Sequence, residues 1–278
     1  VPPQPFFLPA GSGQRFCVHH CPEDSQPRGL VLYLHPWAEE MNKSRRMAAL
    51  QSRALADAGF AVLQVDLHGC GDSSDSWAEA SWDGWVDDAL LAASWLQGRW
   101  PHAEQLPLWL WGLRAGCLLA TQTAARLPRP CHLLLWQPAT AGKVLLQQFL
   151  RLKAAADLQG DAKSTLAAVR AGLAAGQVQD VAGYVLPPAL ARGLEQAVLT
   201  PPAAADPQRR VAWLEVSTRD EAELLPASQP VVAAWAAAGH AVHTNVVPGP
   251  AFWQTQEIED APALLQATLA TMNEEALW

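Results

Sequence analysis

Apolar residues along this chain gather in short unbroken runs separated by stretches of helical periodicity. Leu30–His35 (LVLYLH), Phe60–Asp66 (FAVLQVD), Leu106–Gly112 (LPLWLWG), Cys131–Trp136 (CHLLLW), Val211–Ser217 (VAWLEVS) and Ala241–Val247 (AVHTNVV) each read as a buried strand. Between them, apolar spacing predicts helices over Arg45–Ala58, stopped by Gly59, over Ser81–Leu96, and over Leu118–Leu127. Ser81 is a candidate N-cap, with Asp83 supporting the first turn. Near-continuous apolar strands alternating with helices predict an α/β fold, a mostly parallel sheet covered by helices on both faces. Phe6–Leu8 and Arg15–Cys21 read as short antiparallel edge strands ahead of it.

The pattern breaks between Ala139 and Arg210. That stretch is rich in Ala, Leu and Gln, keeps helical spacing (Leu145, Phe149, Leu152; Leu166, Val169, Leu173) and shows no convincing strand. It predicts a helical cap inserted at 139–210 over the carboxyl edge of a core built from 1–138 and 211–278, the edge where open α/β sheets bind ligands. A helical excursion with only a packing role is the alternative.

Composition removes several function classes. Half of the 278 residues are hydrophobic, 17% are charged, and the formal net charge is -8 with no basic block. Nucleic-acid binding needs clustered Lys and Arg, so it is excluded. No apolar run approaches membrane-spanning length and VPPQPFFLPAG does not read as a signal segment, so no membrane span is expected. Five unevenly spaced cysteines, with Cys117 and Cys131 in apolar stretches, fit a reducing cytoplasm better than a disulfide scaffold. No cofactor is expected.

The chemistry concentrates at turns after the strands. Gly112-Leu113-Arg114-Ala115-Gly116 lies between an apolar strand and a helix. Its glycines permit a sharp turn that thrusts the central side chain over the sheet edge. His35-Pro36 follows the first buried strand, and Asp66-Leu67-His68-Gly69-Cys70-Gly71-Asp72-Ser73 follows the second. Ser217-Thr218-Arg219-Asp220 and Val247-Pro248-Gly249-Pro250-Ala251-Phe252 follow the last two.

These segments resemble the α/β-hydrolase superfamily at matching places. The elbow is similar to its G-x-S-x-G motif with Arg114 at the serine position. The resemblance places His35-Pro36 at the oxyanion segment, Asp220 at the triad acid and Ala251 near the triad histidine, which is missing. More narrowly, residues 35–47 (HPWAEEMNKSRRM), 112–114 and Phe252-Trp253-Gln254-Thr255 resemble the second type of exosortase A system-associated hydrolase. That resemblance implies a bacterial cytoplasmic protein, nominally a hydrolase, encoded with PEP-CTERM sorting and exopolysaccharide genes.

Arginine stays protonated and offers no lone pair, so Arg114 cannot act as the nucleophile. His243 lies within the last strand, about 13 Å short of its carboxyl end at roughly 3.3 Å per residue, and His240 is farther. Ordinary Ser-His-Asp catalysis is therefore not expected, which makes the chain a candidate pseudoenzyme. At a helix N-terminus, a guanidinium suits a carboxylate or phosphate. Arg114 then either binds a ligand or plugs the site through a salt bridge to Asp220, Glu39 or Glu40. His35 and His68 are candidates to flank the pocket. With Asp66 they are weighed as a metal pair, but no compact ligand spacing supports one and no metal is expected. Trp37 and Trp253 are candidate walls. Asn42, Lys43, Ser44, Arg45 and Arg46 read either as a solvated helix start or as a structured loop bordering the pocket, with Asn42 and Arg45 as binding candidates. Cys17-Val18-His19-His20-Cys21 reads as an exposed edge strand, and Cys117 as core rather than a reactive thiol. Three functions remain open: binding an anionic or acyl small molecule, catalysis by an esterase, thioesterase or acyltransferase with a non-standard site, and a non-catalytic scaffold whose protein partner the sequence does not specify.

Overall fold

The computed structural model describes residues 1–11, 13–23, 26–156, 161–201, 209–220 and 222–273. Its strands are β1 (Gln4–Ala10), β2 (Gly13–His20), β3 (Gly29–Leu34), β4 (Phe60–Val65), β5 (Leu108–Leu113), β6 (His132–Trp136), β7 (Gln179–Val181), β8 (Tyr184–Leu186), β9 (Arg210–Ser217) and β10 (Ala241–Pro248). Among the described residues, eight of these form one sheet in the order β1-β2-β4-β3-β5-β6-β9-β10. β1 and β2 join it antiparallel, and every pairing from β4 to β10 is parallel. This is the α/β-hydrolase fold.

Helices α1 (Glu39–Asp57), α2 (Trp82–Gln97), α3 (Ala115–Arg126), α7 (Gln229–Ala237) and α8 (Pro262–Asn273) cover the sheet. Each central strand feeds two cores, because alternate residues face opposite sides. Leu30, Leu32 and Leu34 pack on the α2/α3 side, whereas Val31 and Tyr33 pack on the α1/α8 side. In β5, Leu108 and Leu110 take the first side, and Trp109, Trp111 and Leu113 the second. The strands read as unbroken apolar runs for that reason. Ser81 caps α2, its hydroxyl accepting the Gly84 N–H at 3.0 Å.

The structure corrects three expectations. β2 is not an edge strand, since β1 and β4 flank it; Cys17, His19 and His20 are buried, and His19 packs edge-on to Trp95 and Trp100. α1 starts at Glu39, six residues before Arg45, so the polar stretch around Asn42 is helix rather than loop. Polar side chains on its outer face hid the start, while Met41, Ser44 and Met47 turn inward. Third, the 139–210 stretch holds a small antiparallel hairpin, β7–β8, beside α4 (Gly142–Ala156), α5 (Ala162–Ala174) and α6 (Pro188–Gln196). Three-residue strands are too short to leave an alternation in the sequence. The parts of that stretch at 157–160 and 202–208 lie outside the described residues.

The 139–210 stretch meets the rest of the chain through aromatic contacts. Tyr184 of the hairpin meets Trp77 edge-on at 4.6 Å between ring centroids, and Phe149 of α4 meets Trp37 at 5.6 Å. α6 lies so close to α2 that a Cβ on Gly193 would stand 2.2 Å from the Trp82 Cβ.

Candidate functional site

Two sharp elbows lie side by side at the carboxyl ends of the adjacent parallel strands β3 and β5. After β5, Arg114 adopts φ 55°, ψ −113° before α3; after β3, Ala38 adopts φ 51°, ψ −128° before α1. A non-glycine residue held in such a region costs about 1–3 kcal/mol and persists where its surroundings fix it. At Arg114 they do so through the backbone. Its N–H donates to Trp136 O at 3.0 Å, and its carbonyl accepts from Cys117 N–H at 3.1 Å and Ala139 N–H at 3.3 Å. The two glycines let this turn close: a Cβ on Gly112 would lie 2.5 Å from Cys117 N, and one on Gly116 2.1 Å from Leu34 O.

The Arg114 side chain enters a cleft of about 540 Å³ roofed by α4. Glu40, in the first turn of α1, meets it there, with Arg114 Nε donating to Glu40 Oε1 at 3.3 Å. The guanidinium carbon lies 5.5 Å from the centre of the Trp253 ring, within cation–π range. Trp37, Glu39 and Lys43 also line the cleft, and Leu145, Phe149 and Leu225 give it an apolar flank. The α1 and α3 N-termini add the positive ends of two helix dipoles.

Both members of the ion pair are only partly satisfied. A guanidinium has five N–H donors and a carboxylate about four acceptor positions. Among the described residues, Arg114 uses Nε alone, and Glu40 Oε2 is buried with no hydrogen-bond partner. Burial pushes the Glu40 carboxyl from 4.5 up to about 7, against the opposing pull of Arg114. The indole N–H groups of Trp37 and Trp253 are likewise buried without an acceptor.

Other candidates lie elsewhere. His35 does not flank this cleft; it is buried, with Nδ1 donating to Pro36 O at 2.9 Å and Nε2 accepting Leu67 N–H at 3.3 Å. Burial holds its imidazole below the usual range. His68 accepts from Arg15 at 3.0 Å through Nδ1, and its N–H donates to Asp88 at 2.8 Å, tying the 66–75 turn to β2. Arg45 forms a bidentate pair with Asp66 at 3.2 and 2.9 Å and contacts Asn42 Oδ1 at 3.4 Å, outside the cleft. Asn42 is exposed. Asp220 is exposed too, lining a separate surface depression of about 520 Å³ with Ser217, Pro248 and Asp260. Ala251 is half-buried and packs against the α1/α8 core. Cys117 is fully buried, its thiol donating to Trp136 O at 3.5 Å and pushed well up by burial. No group of three or more metal-ligating side chains forms among the described residues, and no helix there is long and apolar enough to cross a membrane.

The cleft also holds Gln137, which the sequence did not single out. It follows β6 with φ 41°, and its side-chain oxygen accepts Val216 N–H at 2.8 Å. Its place directly after the strand beside β5 is the signal that would have found it.

A family model described as Hydrolase_4, serine aminopeptidase, S33 matches residues 25–187. The chain belongs to this family. Within the Hydrolase_4 match lie both elbows, α1 and the Arg114–Glu40 pair. Protein ABHD12B of Homo sapiens is 35% identical over 95 residues, 34% of this chain and 24% of that protein, so the match spans about a quarter of its length. The solved structure of ferulic acid bound to Est1E from Butyrivibrio proteoclasticus is similar with a TM-score of 0.68 at 15% identity, covering 98% of this chain and 100% of that one. A soluble variant of monoglyceride lipase from Saccharomyces cerevisiae, solved with a substrate analog, gives 0.63 at 13% identity, covering 97% and 93%. At these identities the two structures share its fold.

Proposed function

We propose that this Hydrolase_4 chain is a non-hydrolytic member that binds a small carboxylate or phosphate carrying an acyl or aryl group, with Arg114 as the anchor. The observation that carries this reading is the half-used guanidinium at the elbow apex. Arg114 stands where the family resemblance puts a serine, its Nε is held by Glu40, and its two terminal NH2 groups have no protein partner among the described residues. An anion reaching them gains a bidentate, charge-assisted contact in a site favoured by two helix N-termini. Trp37, Phe149, Leu145 and Leu225 supply the surface for an apolar body. The 139–210 insertion acts as the cap over that body. Ferulic acid, an aryl carboxylate, is bound by the similarly folded Est1E, which supports this ligand class. The resemblance to the exosortase A-associated branch supports a bacterial, cytoplasmic role beside exopolysaccharide processing.

A thermal-shift screen of alkyl and aryl carboxylates and phosphates tests the reading. At a ligand concentration of about 100 Kd, stabilisation of roughly 2.7 kcal/mol is expected for the wild type and little for Arg114→Ala. Equal shifts in both proteins, or none in either, would sink it.

Hydrolysis of nitrophenyl esters is expected to be absent, and restoring the hydroxyl does not create it. Arg114→Ser places an alcohol at the elbow, yet among the described residues no histidine lines this cleft to remove its proton. Ester turnover by Arg114→Ser well above that of Arg114→Ala would show that a base reaches the apex after all.

A further inference from the structure

The Arg114–Glu40 pair is incomplete on both sides in a complementary way, and this specifies more than an anion. The guanidinium presents two unbonded NH2 groups, which fit the two oxygens of one carboxylate. Among the described residues the neighbouring Glu40 carboxylate is short of donors: Oε1 receives only Arg114 Nε, and Oε2 is buried with none. A hydrogen bond to a charged group shielded from bulk water is worth more than one between neutral groups, so a ligand donor that reaches Oε1 gains more than a surface contact would give. Oε1 has taken one donor, Arg114 Nε, and keeps a further acceptor position for a donor from the cleft.

Resting on the binding function proposed above, we infer that the ligand is a 2-substituted carboxylic acid, a 2-hydroxy or 2-amino acid with an apolar or aryl side chain. Its carboxylate sits on the terminal NH2 groups of Arg114. The hydroxyl or ammonium on the adjacent carbon donates to Glu40, next to the bound carboxylate because Glu40 is itself 3.3 Å from Arg114. The side chain lies against Trp37, Phe149 and Leu145. Lys43, at the cleft wall, donates through Nζ to Gln254 O at 3.3 Å. A simple fatty or aryl acid satisfies Arg114 and leaves Glu40 as it was. A 2-substituted acid satisfies both.

Calorimetric titration of the full chain with 3-phenylpropionate, phenyllactate and phenylalanine tests this, because the three differ only at the 2-position. A hydrogen bond to a charged group predicts that phenyllactate or phenylalanine binds about 10-fold or more tighter than 3-phenylpropionate. The advantage should vanish in Glu40→Ala. Whichever of the two binds tighter identifies the donor as hydroxyl or ammonium. If all three bind the wild type equally through Arg114, the inference is overturned and the anion-binding function stands. If none shows Arg114-dependent binding, both fall together. The comparison of ligands on the wild type needs no variant to fold.

Discussion

Gly116→Ala is expected to cost about 3 kcal/mol or more of folding stability, a large share of the roughly 5–15 kcal/mol that holds a typical domain. The methyl would lie 2.1 Å from Leu34 O and 2.9 Å from His35 O, both main-chain atoms of the adjacent β3 end. No side-chain rotation relieves such a clash. Either α3 moves off the sheet or the Arg114 turn opens, and both disrupt the site. Gly98→Ala is the control: its φ is −69° and a Cβ there meets Ser94 O at 3.4 Å, so it should be near neutral. Urea denaturation of the two variants reads the difference directly. A Gly116→Ala protein within about 1 kcal/mol of wild type would mean that the elbow has slack that its geometry denies.

Glu40→Gln is expected to stabilise the protein at alkaline pH and to leave it unchanged in acid. The carboxyl titrates at 4.5 when unfolded and, pushed up by burial, at about 7 in the folded chain. A raised folded value means that the protonated form fits the fold better. Its stabilising contribution is complete below 4.5, falls away as pH rises through about 7, and is absent above that. Each pH unit between the two values removes about 1.36 kcal/mol, so the ionised side chain costs on the order of 3 kcal/mol above neutrality. Glutamine mimics the neutral acid in shape and escapes that cost. The gain measured by urea denaturation should therefore grow from near zero at acid pH to about 2–3 kcal/mol on the alkaline side. A pH-independent difference, or destabilisation at high pH, would show that the pairing with Arg114 outweighs the desolvation of Glu40. Strain and buried charge at one place serve no purpose for stability, which supports the binding role proposed for Arg114.

The sheet was legible because its strands are buried on both faces, so apolar runs alone mark them. The elbow was legible because glycine at 112 and 116 answers a local backbone demand. The β7–β8 hairpin and the start of α1 were not: three-residue strands carry no periodicity, and α1 begins in a stretch whose outward face is charged. Moving that start from Arg45 back to Glu39 also explains the displaced candidates. At about 1.5 Å per residue Arg45 lies about 9 Å down the helix, beside Asp66 rather than at the cleft. His35 follows a strand end as expected, but a residue there can turn to either face, and its imidazole packs against Trp85 at 6.1 Å.

The sequence by itself determined the α/β architecture and the arginine at the elbow apex, because strand burial and turn glycines are encoded by neighbouring residues. It left Arg114 three possible acidic partners, Asp220, Glu39 and Glu40. Only the tertiary structure chose Glu40, since β3 and β5 are neighbours in the sheet although 74 residues separate the pair, and two adjacent elbows aim both side chains into one cleft. It left Asp220 in solvent and Glu40 half-paired out of it. Which charges meet, and how much water they lose, depends on packing between elements, and no local pattern records that.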